Sequence, residues 1–352
     1  MIAHEGPISV ERYMALCLSH PVHGYYATRD PLGAAGDFTT APEISQMFGE
    51  LIGLWAASVW DGMGRPDPLR LIELGPGRGT LAADALRAAR ALPGFLDALD
   101  LHLVETSPVL RAKQSKALQG GPVAVSWHED LGEIPDGAGI VIANEFLDAL
   151  PIRQYVRTKR GWCERLVGLS EDGLSFGLAG EPERGLNAPA PAGTVLEIPA
   201  AGIALMRRLA DRLVASGGAA LVVDYGAARD GRGDTLQAVK GHVFADPLGE
   251  PGEADLTAHV DFAALAEAAR QRGARAYGPV TLGDFLRALG IETRAAALKA
   301  RATPPQAAAI ESGLRRLTGD GSGEMGELFK VMAVTDPTLG PPPGFSPQAQ
   351  ER

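Results

Sequence analysis

In the segment Leu69-Arg70-Leu71-Ile72-Glu73-Leu74-Gly75-Pro76-Gly77-Arg78-Gly79-Thr80, an aliphatic run meets a cluster of three glycines. The run predicts a buried strand, and the glycines predict a tight turn whose backbone N–H groups can approach a ligand closely. Residues 81–86 have helical composition, so the ligand would lie at the N-terminus of a helix. The segment therefore predicts an α/β domain that binds a nucleotide.

The spacing of the glycines narrows the class of nucleotide. A dinucleotide motif has its third glycine or an alanine where Thr80 stands, and no Lys-Ser or Lys-Thr pair follows, as a triphosphate-binding loop requires. Glu73 would repel a pyrophosphate but attract an amine. The segment resembles the first motif of class I S-adenosylmethionine-dependent methyltransferases, with a dinucleotide site and a structural turn as alternatives. The cofactor-binding residues of this motif would be Glu73, Gly75, Pro76, Gly77 and Gly79.

Composition and charge exclude several functions. The chain has 352 residues, 45% of them hydrophobic, and a formal net charge of -10 that disfavours nucleic acid as a partner. Only Cys17 and Cys163 are present, without the spacing of metal ligands or of a disulfide framework. The N-terminus has no export or transit signal, and no apolar window is long enough to span a bilayer. We expect a cytoplasmic protein without an integral membrane segment or a metal.

From residue 69 onward, strand and helix patterns alternate, which predicts a mostly parallel sheet covered by helices on both faces. The expected strands lie at 69–74, 100–105, 123–128, 139–144, 219–224 and 329–335. An N-terminal helical cover is expected at 1–65, the α/β domain at 66–152 and 199–335, a β-hairpin-like insertion at 153–198, and a disordered proline-rich tail at 336–352.

Polar residues follow the expected strands at the edge where ligands of such sheets bind. Glu105 ends the second strand and could accept hydrogen bonds from both ribose hydroxyls. Asp130, beside Leu131, follows the third strand and could accept one from an adenine amino group. Asn144 ends the fourth strand, next to the expected methyl group. One S-adenosylmethionine molecule would satisfy these residues and Glu73 together, although each carboxylate alone is also typical of a loop start or a helix cap.

Three further segments carry a family resemblance: 36–45 (GDFTTAPEIS), 144–151 (NEFLDALP) and 255–262 (DLTAHVDF). With 72–79, they make the chain similar to the MidA-like family, which includes the mitochondrial arginine methyltransferase needed for respiratory complex I assembly. The resemblance implies a class I, Rossmann-like sheet of seven strands with an inserted substrate region. It also implies methylation of a protein arginine on a complex I subunit. Because no targeting sequence is found, a bacterial cytoplasmic member is expected.

An arginine acceptor would need carboxylates to hold its guanidinium. Glu145 and Asp148 would share a face if the chain turned helical after Asn144, and the three residues are catalytic candidates. The alternative is a helix start in which Asn144 is the cap. His259 could contact the acceptor or remove a proton, or be structural. In the segment at 36–45, Thr39 and Thr40 could close over the cofactor, or form a plain loop.

Two other functions remain open at this point. A small-molecule methyltransferase would have a closed pocket in place of an open acidic groove. A partner-binding assembly factor would keep the fold while catalysis is incidental, although an intact cofactor motif argues against a complete loss of activity. We predict a protein arginine methyltransferase.

Overall fold

The computed structural model describes residues 2–28, 37, 39–227 and 232–346. Gly36 and Phe38 of the segment at 36–45, and residues 347–352 of the tail, lie outside the described residues. The helices are α1 Ile2–Glu5, α2 Val10–Ser19, α3 Tyr25–Thr28, α4 Ala41–Ile44, α5 Gln46–Gly62, α6 Thr80–Ala89, α7 Pro108–Ala117, α8 Ala200–Ser216, α9 Phe262–Arg270, α10 Leu282–Ala288, α11 Ile291–Lys299 and α12 Pro304–Thr318. The strands are β1 Ile8–Ser9, β2 Leu69–Leu74, β3 Leu99–Val104, β4 Val125–His128, β5 Gly139–Asn144, β6 Arg153–Thr158, β7 Gly161–Ser170, β8 Gly173–Leu178, β9 Val195–Ile198, β10 Gly218–Ala227, β11 Gln237–Lys240, β12 Val243–Ala245, β13 Asp255–Thr257, β14 Val260–Asp261, β15 Arg275–Thr281 and β16 Phe329–Thr335.

The chain forms two compact units. The first comprises Met1–Phe38, Leu147–Leu205 and Ala227–Leu265, and the second comprises Thr39–Phe146, Met206–Gly226 and Ala266–Arg352. The expected cover at 1–65 is thus divided between the two units after residue 38. The boundaries predicted from the sequence for the domains stay a prediction.

The second unit is built on a continuous sheet with the strand order β15-β16-β10-β5-β2-β3-β4. From β10 to β4 all neighbours are parallel, whereas β16 runs antiparallel to both β10 and β15. β5 is buried at every residue, as expected for a central strand with both faces covered. The mostly parallel sheet predicted from the alternation of strands and helices is confirmed.

Helix α5 packs closely against α6, the helix that follows the glycine turn. A Cβ atom on Gly53 would lie 2.5 Å from the carbonyl oxygen of Ala85, and one on Gly49 would lie 2.7 Å from Cβ of Asp84. Such distances leave no room for a side chain. The two glycines of α5 therefore allow the backbones of the helices to meet, which fixes the start of α6 beneath the turn.

The first unit has its own apolar core and its own antiparallel sheets. β6 and β7 form a hairpin, β9 pairs with β6, and β8 and β1 pair with β7. A separate sheet has the order β12-β11-β13. Its core contains Tyr13, Met14 and Val167, all nearly inaccessible to solvent. None of the helices in the described part of the chain combines the length and apolar character needed to cross a membrane.

The start of the proline-rich tail is packed, whereas the sequence predicted disorder from residue 336. Phe345 is buried, with its ring centroid 5.5 Å from that of Phe285, and the carbonyl of Pro343 accepts a hydrogen bond from Trp55 Nε1 at 3.1 Å. The carboxylate of Asp336 accepts from the backbone N–H of Gly218. The sequence predicted disorder because the tail has few apolar residues. The packing of Phe345 and these hydrogen bonds nevertheless hold residues 336–346 against the second unit's core.

Candidate functional site

The glycine turn joins the end of β2 to the start of α6. Gly75, Gly77 and Gly79 have φ values of 61°, 54° and 82°, in the left-handed region that side chains disfavour. A Cβ atom on Gly75 would lie 2.6 Å from the ring of Phe146, and Pro76 accepts from Gly79 N–H to close the turn. The turn therefore leaves backbone exposed at the N-terminus of α6, where an anionic or polar ligand group can be bound.

Glu73 lies within β2, next to this turn. It is only 4% exposed and has no hydrogen-bond or ion-pair partner among the described residues. Burial raises the pKa of its carboxyl to about 8 because nothing nearby compensates the charge. A buried carboxylate of this kind is suited to face a cationic ligand group.

Glu105 follows β3 and is also buried. Its Oε1 accepts from the backbone N–H of Ser107 at 2.8 Å, and its Oε2 accepts from Gln114 Nε2 at 3.1 Å. Burial raises the pKa of Glu105, and these two donors partly offset that effect. The carboxylate is thus held in one orientation next to the end of β3.

Asp130 follows β4 and differs from the other two carboxylates because it is exposed. Both of its oxygens accept hydrogen bonds from Arg208, and Oδ1 also accepts from Gly132 N–H at 2.8 Å. The Arg208 guanidinium lowers the pKa of Asp130 to about 2. Leu131, the next residue, is buried. The expected contact from Asp130 to an adenine amino group would have to share the carboxylate with Arg208.

Asn144 is the last residue of β5. Its Nδ2 donates to Glu145 Oε1 at 3.2 Å, while its Oδ1 is buried without a hydrogen-bond partner among the described residues. A buried acceptor left in this way is costly unless a ligand satisfies it. The side-chain oxygen of Asn144 and the carboxylate of Glu73 can therefore both accept hydrogen bonds from a ligand at the same edge of the sheet.

The chain does not turn helical after Asn144, so the prediction that Glu145 and Asp148 share a helix face is wrong. Glu145 has a φ of 50°, and its N–H donates to the carbonyl of Val223. A glutamate in the left-handed region ends any helical path. Its carboxylate accepts from the backbone N–H of Ala41 at 2.8 Å. Glu145 belongs to the second unit and Asp148 to the first.

Thr39 and Thr40 come directly before α4 and are partly buried. Thr40 is the N-cap residue of α4, although its side chain makes no capping hydrogen bond. Glu43, one turn later, accepts from Thr80 Oγ1 at 2.5 Å and pairs with Arg78 at 3.7 Å. Two hydrogen bonds, one from Thr80 at the start of α6 and one to Glu145, thus place this short segment across the carboxyl edge of the sheet.

The first unit holds a second group of polar residues. Asp148 and Asp255 are both buried, and Asp255 accepts from the Tyr26 hydroxyl at 2.8 Å. Burial, Asp255 and Asp148, in that order, raise the pKa of Tyr26 well above its ordinary value. The backbone of Asp148 accepts from Ala258 N–H at 3.0 Å. This arrangement brings two carboxylates near one hydroxyl, which suits a planar cation with several N–H donors.

His259 lies next to this group in sequence. Its backbone N–H donates to Thr235 Oγ1 at 2.9 Å, and the residue is in part open to solvent. Partial burial of the ring lowers the pKa of His259, so the imidazole is neutral at neutral pH. Asp261 caps α9 by accepting from Ala264 N–H at 2.9 Å.

Several residues of these groups were not predicted from the sequence. Phe146 packs on Gly75, Gln114 holds Glu105, and Tyr26 and Asp255 accompany Asp148. Asp255 lies in the segment at 255–262, which was a usable signal. Gln114 had no signal, because it lies in a helix of ordinary amphipathic composition and its partners lie on other elements of the fold.

The residues at this edge fit S-adenosylmethionine. The ligand carries an ammonium, a ribose and an adenine, and the edge offers a buried carboxylate without a partner at Glu73, an oriented carboxylate at Glu105 and an unused acceptor at Asn144. The three left-handed glycines supply a turn whose own residues carry no side chain at these positions. The fold and the edge define the class as a nucleotide-binding methyltransferase of the doubly wound type.

Comparison with known proteins identifies the family. Residues 51–280 match the family described as "Putative S-adenosyl-L-methionine-dependent methyltransferase", and the chain belongs to this family. Mitochondrial protein arginine methyltransferase NDUFAF7 is 38% identical in Danio rerio, covering 93% of this chain and 84% of the relative. The human protein of the same name is also 38% identical, with coverages of 86% and 75%. The fold, the methyltransferase activity and the cofactor predicted from the sequence are confirmed.

A solved structure supports the same conclusion. A Burkholderia thailandensis protein bound to S-adenosyl-homocysteine is 31% identical, with a TM-score of 0.81, covering 97% of this chain and 91% of the other. The prediction of a bacterial cytoplasmic location is wrong, because the curated relatives are named as mitochondrial proteins.

Proposed function

We propose that this S-adenosylmethionine-dependent methyltransferase acts on arginine side chains of a protein. The observation that carries the proposal is the similarity, at 38% identity over 93% of the chain, to a relative named as a protein arginine methyltransferase. The buried group of Asp148, Asp255 and Tyr26 supports it, because two carboxylates and a hydroxyl match the charge and the donors of a guanidinium.

In this proposal Glu73 faces the ammonium of the cofactor, Glu105 accepts from the ribose hydroxyls, and Asn144 Oδ1 accepts from the amino-acid end. Gly75, Pro76, Gly77 and Gly79 line the turn, Asp130 and Leu131 adjoin the adenine, and Thr39 and Thr40 cover the edge. The bound cofactor supplies an activated methyl group on sulfur. The chain itself contributes position and the exclusion of water, which are the main requirements of such a transfer.

Within the first unit, Asp148 and Asp255 offer two buried carboxylates to a guanidinium. Glu145, held by Ala41 N–H, fixes the segment after β5. The methylated guanidinium must lose one proton, and we keep His259, whose pKa is lowered by burial, as the proposed proton acceptor. Following the family resemblance, we propose a respiratory complex I subunit as the protein substrate.

The test is transfer of labelled methyl groups from S-adenosylmethionine to proteins in an extract of cells that lack this methyltransferase. We expect label in one protein band and methylarginine after hydrolysis, and neither product with the Gly77→Val variant. Label confined to small molecules would instead support a small-molecule methyltransferase. Cofactor binding without any transfer, together with restored assembly by Gly77→Val in cells, would support a partner-binding assembly factor.

A further inference from the structure

Gln114 connects three elements at the cofactor edge of the second unit. It lies in α7, is completely buried, and has no solvent contact. Its Nε2 donates to the carbonyl of Gly77 at 2.8 Å and to Glu105 Oε2 at 3.1 Å, and its Oε1 accepts from Trp127 Nε1 at 2.9 Å. One amide thus links the glycine turn, the carboxylate after β3 and a tryptophan of β4.

The partners leave the amide only one orientation. An indole nitrogen can only donate, so it requires the amide oxygen, whereas a carbonyl and a carboxylate can only accept, so they require the amide NH₂. If the amide flipped, all three contacts would become repulsive in a buried place where no water replaces them. The hydrogen bond from Trp127 therefore fixes the orientation in which the NH₂ group of Gln114 donates to Gly77 and Glu105.

The backbone of α7 adds a second contact with the turn. A Cβ atom on Gly79 would lie 3.2 Å from Cα of Gln114, so the helix rests on the last glycine of the turn while its side chain holds the middle one. Gln114 thus bridges the distance between the turn and the Glu105 carboxylate, alongside the β2–β3 pairing in which Gly75 N–H donates to the Val104 carbonyl. A ribose that is held by Glu105 and attached to groups at the turn depends on that distance.

We propose that Gln114 is a positioning residue that fixes Glu105 against the glycine turn and so determines recognition of the ribose hydroxyls. This inference rests on the proposed role of Glu105. Gln114 is fully buried and its amide is engaged by three protein partners, so it acts through the carboxylate and the turn. Its loss should therefore affect the ribose more than the rest of the ligand.

The test compares binding of S-adenosyl-homocysteine and of its 2′-deoxyribose analogue by calorimetry, in the wild type, Glu105→Gln and Gln114→Met. The wild type should bind the analogue about tenfold or more weakly, as expected for a lost hydrogen bond to a charged acceptor. Gln114→Met keeps the length of the side chain but none of its hydrogen bonds. We expect it to bind S-adenosyl-homocysteine roughly tenfold more weakly and to lose most of the preference for the ribose form.

A matched control separates positioning from general loss of stability. Gln154 is equally buried and donates to a carboxylate, Glu197 Oε1, at 2.7 Å, but it lies in the first unit. Gln154→Met should lower the melting temperature without changing the preference between the two ligands. Trp127→Phe keeps both donors of Gln114 but removes the hydrogen bond that fixes the orientation of its amide, so it should partially reduce the preference for the ribose form. This variant replaces Gln114→Met if Gln114→Met does not fold.

The results separate the positioning role of Gln114 from the ribose-binding role of Glu105. If the wild type and Glu105→Gln do not differ in ligand preference, Glu105 does not bind the ribose and both ideas fail. If Glu105→Gln loses the preference while Gln114→Met and Trp127→Phe keep it, the role of Glu105 stands and the positioning role of Gln114 is refuted. Loss of the preference in Gln114→Met but not in Gln154→Met supports the inference.

Discussion

Replacement of Glu73 by glutamine should remove the rise in cofactor affinity that the wild type shows between pH 6 and pH 8. The carboxyl is buried without a partner and has a pKa of about 8, so it is mostly neutral at pH 7 in the free protein. It must be ionised to pair with an ammonium. Binding at pH 7 therefore requires the release of a proton, and glutamine at this position has none to release.

The size of the effect follows from the pKa. With a pKa of about 8, roughly one molecule in ten is ionised at pH 7 and one in a hundred at pH 6, so affinity should rise about tenfold per pH unit between these values. The slope ends near pH 8, where the α-amino group of the ligand, with a pKa also near 8, begins to lose its own proton. The affinity should therefore pass through a maximum near pH 8.

Calorimetric titration with S-adenosyl-homocysteine from pH 6 to pH 9, in buffers of different ionisation enthalpy, measures both the affinity and the protons released. The wild type should release about one proton per ligand at pH 7, and Glu73→Gln should release none from this group. Glu50→Gln is a matched control, because Arg87 and Arg294 keep the pKa of that buried carboxyl low and it does not titrate in this range. A wild-type affinity that is constant from pH 6 to pH 8 would refute the reasoning.

Other consequences can be checked separately. Without ligand, the raised pKa of Glu73 makes its contribution to stability complete below about pH 4.5 and lost as the pH rises through about 8, so the denaturant midpoint should fall over this window in the wild type but not in Glu73→Gln. Glu105→Ala should weaken binding of S-adenosyl-homocysteine about 10- to 150-fold by calorimetry, and unchanged binding would contradict its role. Gly53→Ala should reduce the free energy of unfolding by about 1 to 3 kcal/mol in urea, because its Cβ would meet the Ala85 carbonyl at 2.5 Å; an unchanged midpoint would show that α5 and α6 can separate freely.

The central strands could be predicted from the sequence because their local pattern and their environment agree. β2, β5 and β16 have the predicted bounds, since each is a short apolar run with a turn signal at its end. β8 and β15 were not predicted. β8 is half exposed and carries two glycines, and β15 contains Gly278-Pro279, so neither shows the alternation of a strand.

Residues of the candidate site could be predicted from the sequence only where a single carboxylate at the end of a strand indicates a ligand contact. Glu73 and Glu105 meet that condition, since the end of each parallel strand falls on the same edge. The helix expected after Asn144 did not form, because Glu145 adopts a left-handed backbone that depends on Ala41, more than one hundred residues earlier in the chain. The role of Gln114 could not be predicted either, because it depends on how the fold brings the glycine turn, Glu105 and Trp127 around one side chain.

Binding of S-adenosylmethionine to the wild type and to Gly77→Val tests the central claim most directly. Gly77 has a φ of 54°, where a β-branched side chain is strongly disfavoured, so the variant should not form the turn that meets the ligand. We predict one bound cofactor per chain in the wild type and binding at least about 100-fold weaker in the variant. Equal binding by both proteins would place the cofactor elsewhere, and no binding by either would contradict the account.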